Sequence, residues 1–285
     1  MDAVLQPLQY EFFVRALGAA IVVGTVCAVV GTYVVLKGLA FIGDAISHAA
    51  FPGVVAAFIL GGSYYVGAAI AAIVTALGIT YVSRRGRLRT DTAIGVLFAG
   101  TFALGIFMFS TIEGYVADLF GFLFGNLLSI SPADLAGLLV LAAVILVTVA
   151  VFWKELLYAT FDPLGAGAAG LRVEWLEYGF LVIVALTIVA SLQAVGIILV
   201  VAMLVTPAAT AQLLTVRFAR MMMLAVGVGI GSAVLGLYVS YWQDVASGAT
   251  IVLVQTAAFL LVLLLGPRTG LAGWLRRRGV AAAGS

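Results

Sequence analysis

Charged residues are scarce in this chain, and histidine and cysteine are almost absent. Only 9% of the 285 residues are charged, whereas 65% are hydrophobic. A water-soluble domain needs a polar surface, so this composition excludes one, and recurring apolar runs of about 20 residues indicate a multi-spanning helical membrane protein. The single cysteine, Cys27, excludes an internal disulfide and a multi-thiolate metal site. The chain also lacks a GxxxxGK[ST] phosphate-binding loop, so no ATP site of that type is expected.

The apolar runs predict one all-α membrane domain, 1–285, with eight or nine transmembrane helices. A polar stretch at about 154–175 predicts a loop on one side of the membrane. The interrupted, aromatic-rich segment 111–131 predicts a re-entrant or interfacial piece on the other side. The predicted spans are about 12–36, 39–60, 64–83, 92–110, 132–153, 176–192, 195–215, 221–241 and 249–266.

The basic residues predict the orientation. If 84–91 is cytoplasmic, every one of the 14 Lys and Arg residues except Arg15 falls on the cytoplasmic side, as the positive-inside rule requires. The C-terminus is then cytoplasmic and 111–131 external. Glu113 and Asp118 would lie on the outer face, either as an electronegative rim that attracts cations or as ordinary solvated charges.

The stretch "GLAFIGDAISHAAFPG" (38–53) places an aspartate and the only histidine inside an apolar run. Asp44 and His48 are spaced i, i+4, so they share one helix face, roughly 8–15 Å into the predicted span. Ionisable residues in a membrane are costly and commonly functional. A carboxylate and a neutral imidazole suit Mn²⁺, Zn²⁺ or Fe²⁺, and Ser47 lies beside this face. The pattern predicts a cation site, with an Asp–His bond that clamps two helices as the alternative.

Two ligands are too few to hold a divalent cation well. If two copies of the chain packed with this face toward a two-fold axis, the pair would supply two carboxylates and two imidazoles. The ligand count therefore favours a C₂ homodimer with the site on its axis.

Five motifs carry a family resemblance that covers about 12–266. They are "GDAISHAAFPG" (43–53), "DTAIGVLFAGTFALGI" (91–106), "LFGNLLSIS" (123–131), "FDPLGAGAAGL" (161–171) and "GIILVVAMLVTPAATAQLL" (196–214). In this order they resemble the motifs of the membrane permease subunits of bacterial ABC importers for manganese, zinc and iron. The resemblance implies that family's permease fold, a homodimer, two cytoplasmic ATP-binding subunits and an extracytoplasmic metal-binding protein, in a bacterial plasma membrane. It implies no ATPase site in this chain, no permanently bound cofactor and no nucleic-acid partner.

The resemblance also assigns roles to residues. Asp44 and His48 match the family positions associated with the cation path. The order Ser47–His48–Ala49 followed by Pro52 is similar to the manganese or iron branch, which favours manganese as cargo. The loop after the fifth span matches the coupling helix that docks on the ATPase, with Asp162 suited to cap its start and Pro163 to its first position. The coupling residues are Phe161, Asp162, Pro163, Gly170, Leu171 and Arg172.

An ion-gradient-driven secondary metal transporter is the rival hypothesis. Such proteins are built from repeats with paired broken helices, and Pro52 and Pro207 lie within predicted spans in opposite halves of the chain. Each proline should kink or break its helix. The two halves share no evident motif, however, and the segment 161–171 would have no role in such a transporter.

Overall fold

The computed structural model describes residues 5–112 and 127–266, and the regular structure in these ranges is helical. Within them, nine segments are long and apolar enough to cross a membrane, which confirms the predicted architecture. Two short 3₁₀ turns, Pro7–Gln9 and Leu127–Ser129, accompany the helices. The helices are α1 (Glu11–Leu36), α2 (Ile42–Ala49), α3 (Phe51–Leu60), α4 (Tyr64–Arg85), α5 (Thr90–Phe109), α6 (Pro132–Val151), α7 (Trp153–Phe161), α8 (Pro163–Ala168), α9 (Val173–Leu214), α10 (Phe218–Gln243) and α11 (Ser247–Leu265).

The second predicted span differs most from its expected form. Its helix begins at Ile42 instead of 39, because Gly38 adopts a positive φ of 69° and the chain turns before the helix starts. The span is then divided into α2 and α3 at Ala50, beside Pro52. Ala50 keeps helical torsion angles (φ −67°, ψ −26°), so Pro52 interrupts the hydrogen-bond ladder while the helical path continues. Pro207 lies inside α9, where the non-helical torsion angles belong to Gly196 instead.

The chain folds back on itself within α9, which supplies two of the nine spans, Val173–Leu192 and Ala194–Leu214. Glu177 lines a cavity together with Lys37 at the end of α1, and Leu204 lies against Gly31 near the same end. Twenty-seven residues of straight helix would separate Glu177 from Leu204 by about 40 Å, so the helix must reverse between them. Gly196, with φ 75° and ψ 170°, is the residue at which it does so. A side chain would make this conformation costly.

α1 lies at the centre of the bundle, packed against both α9 and α10. Its buried face is rich in small residues, including Gly24 and Gly31. Such residues let helix backbones approach closely in a membrane protein. Small residues also allow α3 and α4 to pack closely, because Gly53 and Gly67 leave room for each other's carbonyl groups.

Part of the external segment predicted at 111–131 lies outside the described residues, and so do Glu113 and Asp118. After it, Ser131 and Asp134 form a reciprocal capping box at the start of α6, where the Asp134 backbone N–H donates to the Ser131 hydroxyl at 3.1 Å. This arrangement satisfies the free N–H groups at the end of a membrane helix.

Candidate cation site and coupling segment

Asp44 lies in the first turn of α2, close to one end of the bundle but inside it. Its neighbour Gly43 contacts the Leu204 side chain, and the Leu204 backbone lies against Gly31. Gly31 precedes the end of α1 at Leu36 by five residues, or about 7.5 Å. The Asp44–His48 pair therefore begins at about this distance from the end of α1, and its depth in the membrane stays a prediction from the sequence. A helix N-terminus also favours a negative charge at Asp44.

The two site residues face each other at a separation that suits shared coordination. Oδ1 of Asp44 and Nε2 of His48 are 3.5 Å apart, longer than the 2.7–3.2 Å usual for an N–H···O hydrogen bond. Two ligand atoms at about 2.1 Å from one metal ion would be about 3.4 Å apart in tetrahedral geometry and about 3.0 Å apart in octahedral geometry. The observed gap is therefore close to the spacing of two ligands of one cation.

Two aromatic rings of α5 hold the imidazole of His48. The ring centroids of Phe98 and Phe102 lie 5.5 Å and 5.1 Å from that of His48, both in edge contact. The two phenylalanines stack on each other at 6.0 Å. In the sequence, 91–106 stands out only as a family motif. The i, i+4 spacing places the two rings on one face of α5 but does not indicate that His48 lies against them. They restrict the rotation of the imidazole and keep one side of it dry.

Ser47 is buried, and its hydroxyl donates to the Asp44 backbone carbonyl at 2.9 Å. The Ser47 hydroxyl proton is therefore donated within the helix, and Ser47 could contribute only the lone pairs of its oxygen to a cation.

The protomer supplies only part of a coordination shell. Among residues 5–112 and 127–266, no group of three or more His, Cys, Asp and Glu side chains is placed to hold a metal ion. The side chains of Asp44 and His48 are 47% and 28% exposed, so the pair opens at the protomer surface. Within the described residues the two side chains therefore form an incomplete coordination shell, which water or a second chain could complete.

The predicted capped helix is present between the fifth and sixth spans. Oδ1 of Asp162 accepts a hydrogen bond from the Gly165 backbone N–H at 2.8 Å, and Pro163 occupies the first turn of α8. The segment ends at Gly170, whose φ is +88°. Phe161 and Leu164 are 60% and 88% exposed, so this short helix presents apolar side chains outward.

A cavity of about 320 Å³ lies behind this segment, between it and the ends of α1, α4 and α9. On one wall Nε of Arg84 donates to Oε2 of Glu177 at 3.2 Å, and Nη2 of Arg84 donates to the same oxygen. The Lys37 ammonium lies 5.5 Å from the centre of the Phe180 ring. Burial lowers the pKa of Lys37 below its usual range, while the charge of Glu177 opposes that shift. The segment 161–172 thus adjoins a charged cluster that joins three spans.

Known proteins resemble this chain along nearly its whole length. The family model of the ABC 3 transport family matches residues 9–266. The manganese transport system membrane protein MntC of Halalkalibacterium halodurans is 46% identical over 265 residues, which are 93% of this chain and 91% of that protein. The chelated iron transport system membrane protein YfeD of Yersinia pestis is 42% identical, over 91% of this chain and 87% of that protein.

A solved structure agrees with the fold. PsaBC from Streptococcus pneumoniae, in complex with Fab, superposes with a TM-score of 0.83 at 39% identity, covering 93% of this chain and 96% of the matched chain. The family match spans all nine of the described apolar segments. The chain therefore belongs to the ABC 3 transport family and is a membrane permease of the ABC transporter class.

Proposed function

We propose that this chain is the membrane-spanning subunit of an importer for a divalent transition metal, with manganese as its preferred cargo. The observation that carries the proposal is the Asp44–His48 pair, whose 3.5 Å separation suits one shared cation. Relatives named for manganese and for chelated iron support this cargo class. ATP-driven import is favoured over an ion gradient because the family is one of ABC transporters.

The working unit is a homodimer in which two Asp44–His48 pairs face each other. One pair leaves at least half of a four- to six-ligand shell unfilled, and both side chains are partly exposed on the protomer. A two-fold axis through this face supplies the same two ligands again. No resident cofactor is required, because the metal is the cargo.

The chain depends on separate cytoplasmic ATP-binding subunits, since its sequence has no phosphate-binding loop. Their contact is the coupling segment, comprising Phe161, Asp162, Pro163, Gly170, Leu171 and Arg172. Its exposed apolar side chains and capped short helix suit insertion into a groove on a partner. An extracytoplasmic metal-binding protein delivers the cation at the opposite face. The C-terminus is cytoplasmic, and the membrane is the bacterial plasma membrane.

The test is metal uptake into proteoliposomes that contain this chain with its ATP-binding subunits, with metal-binding protein outside and ATP inside. Mn²⁺ should accumulate with ATP and not with a non-hydrolysable analogue. Excess unlabelled Mn²⁺ should reduce the uptake of labelled Mn²⁺ more strongly than the same excess of Zn²⁺ or Fe²⁺ does. Uptake that follows an imposed proton or sodium gradient without ATP would overturn the mechanism. Stronger competition by Zn²⁺ or Fe²⁺ would overturn the choice of manganese.

A further inference from the structure

A large apolar groove runs along the outside of the bundle, away from the cation site. It has a volume of about 620 Å³ and lies between α6, α7 and the first half of α9. Its walls are almost wholly hydrocarbon. Its apolar lining includes Val144, Ile145, Leu156, Val182, Ile183 and Leu186.

The groove has the depth of one membrane leaflet. On α9 its lining begins at the start of the span, near Val173, and ends at Leu186, about 20 Å further along. On α6 it extends from the end of the helix at Val151 back to Val144, about 10 Å. Half of a hydrocarbon core is about 15 Å thick. One acyl chain from a single leaflet therefore matches the groove in length and direction.

The charged groups of the lining lie at the shallow end of the groove, whereas the hydroxyl of Thr148, deeper on α6, donates within its own helix to the Val144 carbonyl. Arg172 lines it beside Trp175, whose side chain is 70% exposed, and this pairing of a basic and an aromatic residue is typical of a membrane interface. Among the described residues, Arg172 forms no ion pair within 4.0 Å. A basic pocket between transmembrane helices is a common binding place for a lipid phosphate.

Glu155 lines the same end of the groove. Its Oε2 atom is shielded from solvent and accepts no hydrogen bond within the described part of the chain. A carboxylate oxygen that is shielded from water and receives no hydrogen bond lowers the stability of the fold. A ligand with an N–H group at this end of the groove could donate a hydrogen bond to this oxygen and so restore the lost stability.

We propose that the groove binds one phosphatidylethanolamine molecule of the cytoplasmic leaflet. One acyl chain fills the apolar channel, the phosphate pairs with Arg172, and the primary ammonium donates to Glu155. This headgroup carries both complementary charges. Phosphatidylcholine has a quaternary ammonium that cannot donate a hydrogen bond, and phosphatidylglycerol has no cation for Glu155. The lipid would pack against α7 and Leu171 and so support the coupling segment from the membrane side.

The experiment is native mass spectrometry of the purified full-length chain, delipidated and then offered equal amounts of phosphatidylethanolamine, phosphatidylcholine and phosphatidylglycerol. The wild type should retain phosphatidylethanolamine about tenfold better than phosphatidylcholine, the factor expected from one hydrogen bond to a charged group. Glu155→Gln should reduce this preference, because its uncharged amide oxygen accepts a weaker hydrogen bond from the ammonium, and Arg172→Gln should weaken retention of all three lipids. The controls are Glu174→Gln and Lys154→Gln, exposed neighbours that do not line the groove.

A blocking variant gives an independent readout. An added Cβ at Gly179, which lines the groove, meets no atom within 4 Å, so Gly179→Leu should fill the channel and lower lipid retention without harming the fold. Gly100→Leu is the matched control, since Gly100 is equally open and lies on α5. Equal retention of the three lipids by the wild type, or an unchanged preference in Glu155→Gln, would overturn the proposal. So would a cross-link between Trp175→Cys positions of two protomers, because a second chain would then cover the groove.

Discussion

Gly31 of α1 lies directly against the Leu204 carbonyl group of α9, so closely that any Cβ at Gly31 would overlap it. Leu204 in turn touches Gly43, next to Asp44. One backbone contact thus holds the second half of α9 against α1, beside the helix that carries Asp44. Backbone atoms cannot move aside as a flexible side chain can, so this contact tolerates only glycine.

Gly31→Ala should therefore destabilise the bundle. The expected cost is at least about 1–3 kcal/mol, the range for overpacked cores, and should appear as a lower thermal unfolding midpoint of the detergent-purified chain. Gly18→Ala is the matched control on the same helix, because a Cβ there meets nothing within 4 Å. Equal midpoints for the two variants would contradict the close approach.

The spans and the Asp44–His48 pair could be predicted from the sequence because both depend on local pattern. Apolar run length gives the spans, and the i, i+4 spacing gives the shared face. The division of α9 into two spans also follows from the sequence, which predicts 176–192 and 195–215, and the structure confirms it. The placement of the reversal at Gly196 could not be predicted, because it depends on one positive φ. The contact of Phe102 with His48 joins two spans, and a tertiary contact of this kind leaves no periodic signal in either helix.

The Asp162 cap should matter for coupling. Asp162→Ala removes the hydrogen bond to the Gly165 N–H and should cost the short helix about 1 kcal/mol. In the assembled transporter, metal uptake per ATP hydrolysed should then fall. Asp162→Asn retains a capping oxygen and should behave like the wild type. If both variants keep the wild-type ratio, the segment does not couple ATP hydrolysis to transport.

Phe102 should tune the cation site without binding the metal. Its edge contact with the imidazole is of a kind worth about 0.5–1.5 kcal/mol, so Phe102→Leu should weaken Mn²⁺ binding by about two- to tenfold through a less ordered His48. Phe107→Leu on the same helix is the control, because that ring is 68% exposed and contacts no site residue in the described structure. Isothermal titration of the two variants measures the difference, and equal affinities would contradict a positioning role.

The external charges Glu113 and Asp118 remain a sequence-based prediction. If they steer cations or a basic partner, neutralising both should slow metal capture at low ionic strength and have less effect at high salt. Stopped-flow capture by the reconstituted transporter measures both conditions. An unchanged rate at low salt would identify them as ordinary solvated charges.

The most direct test of the central claim is the stoichiometry of Mn²⁺ bound to the purified permease. Equilibrium dialysis should give one ion for every two chains, because each protomer supplies one Asp44–His48 pair to a shared site. Asp44→Asn and His48→Gln should each remove that ion, whereas Asp91→Asn, an exposed acid in the first turn of α5, should retain it. One ion per two chains in all four proteins would contradict the account, since Asp44 and His48 would then bind no metal.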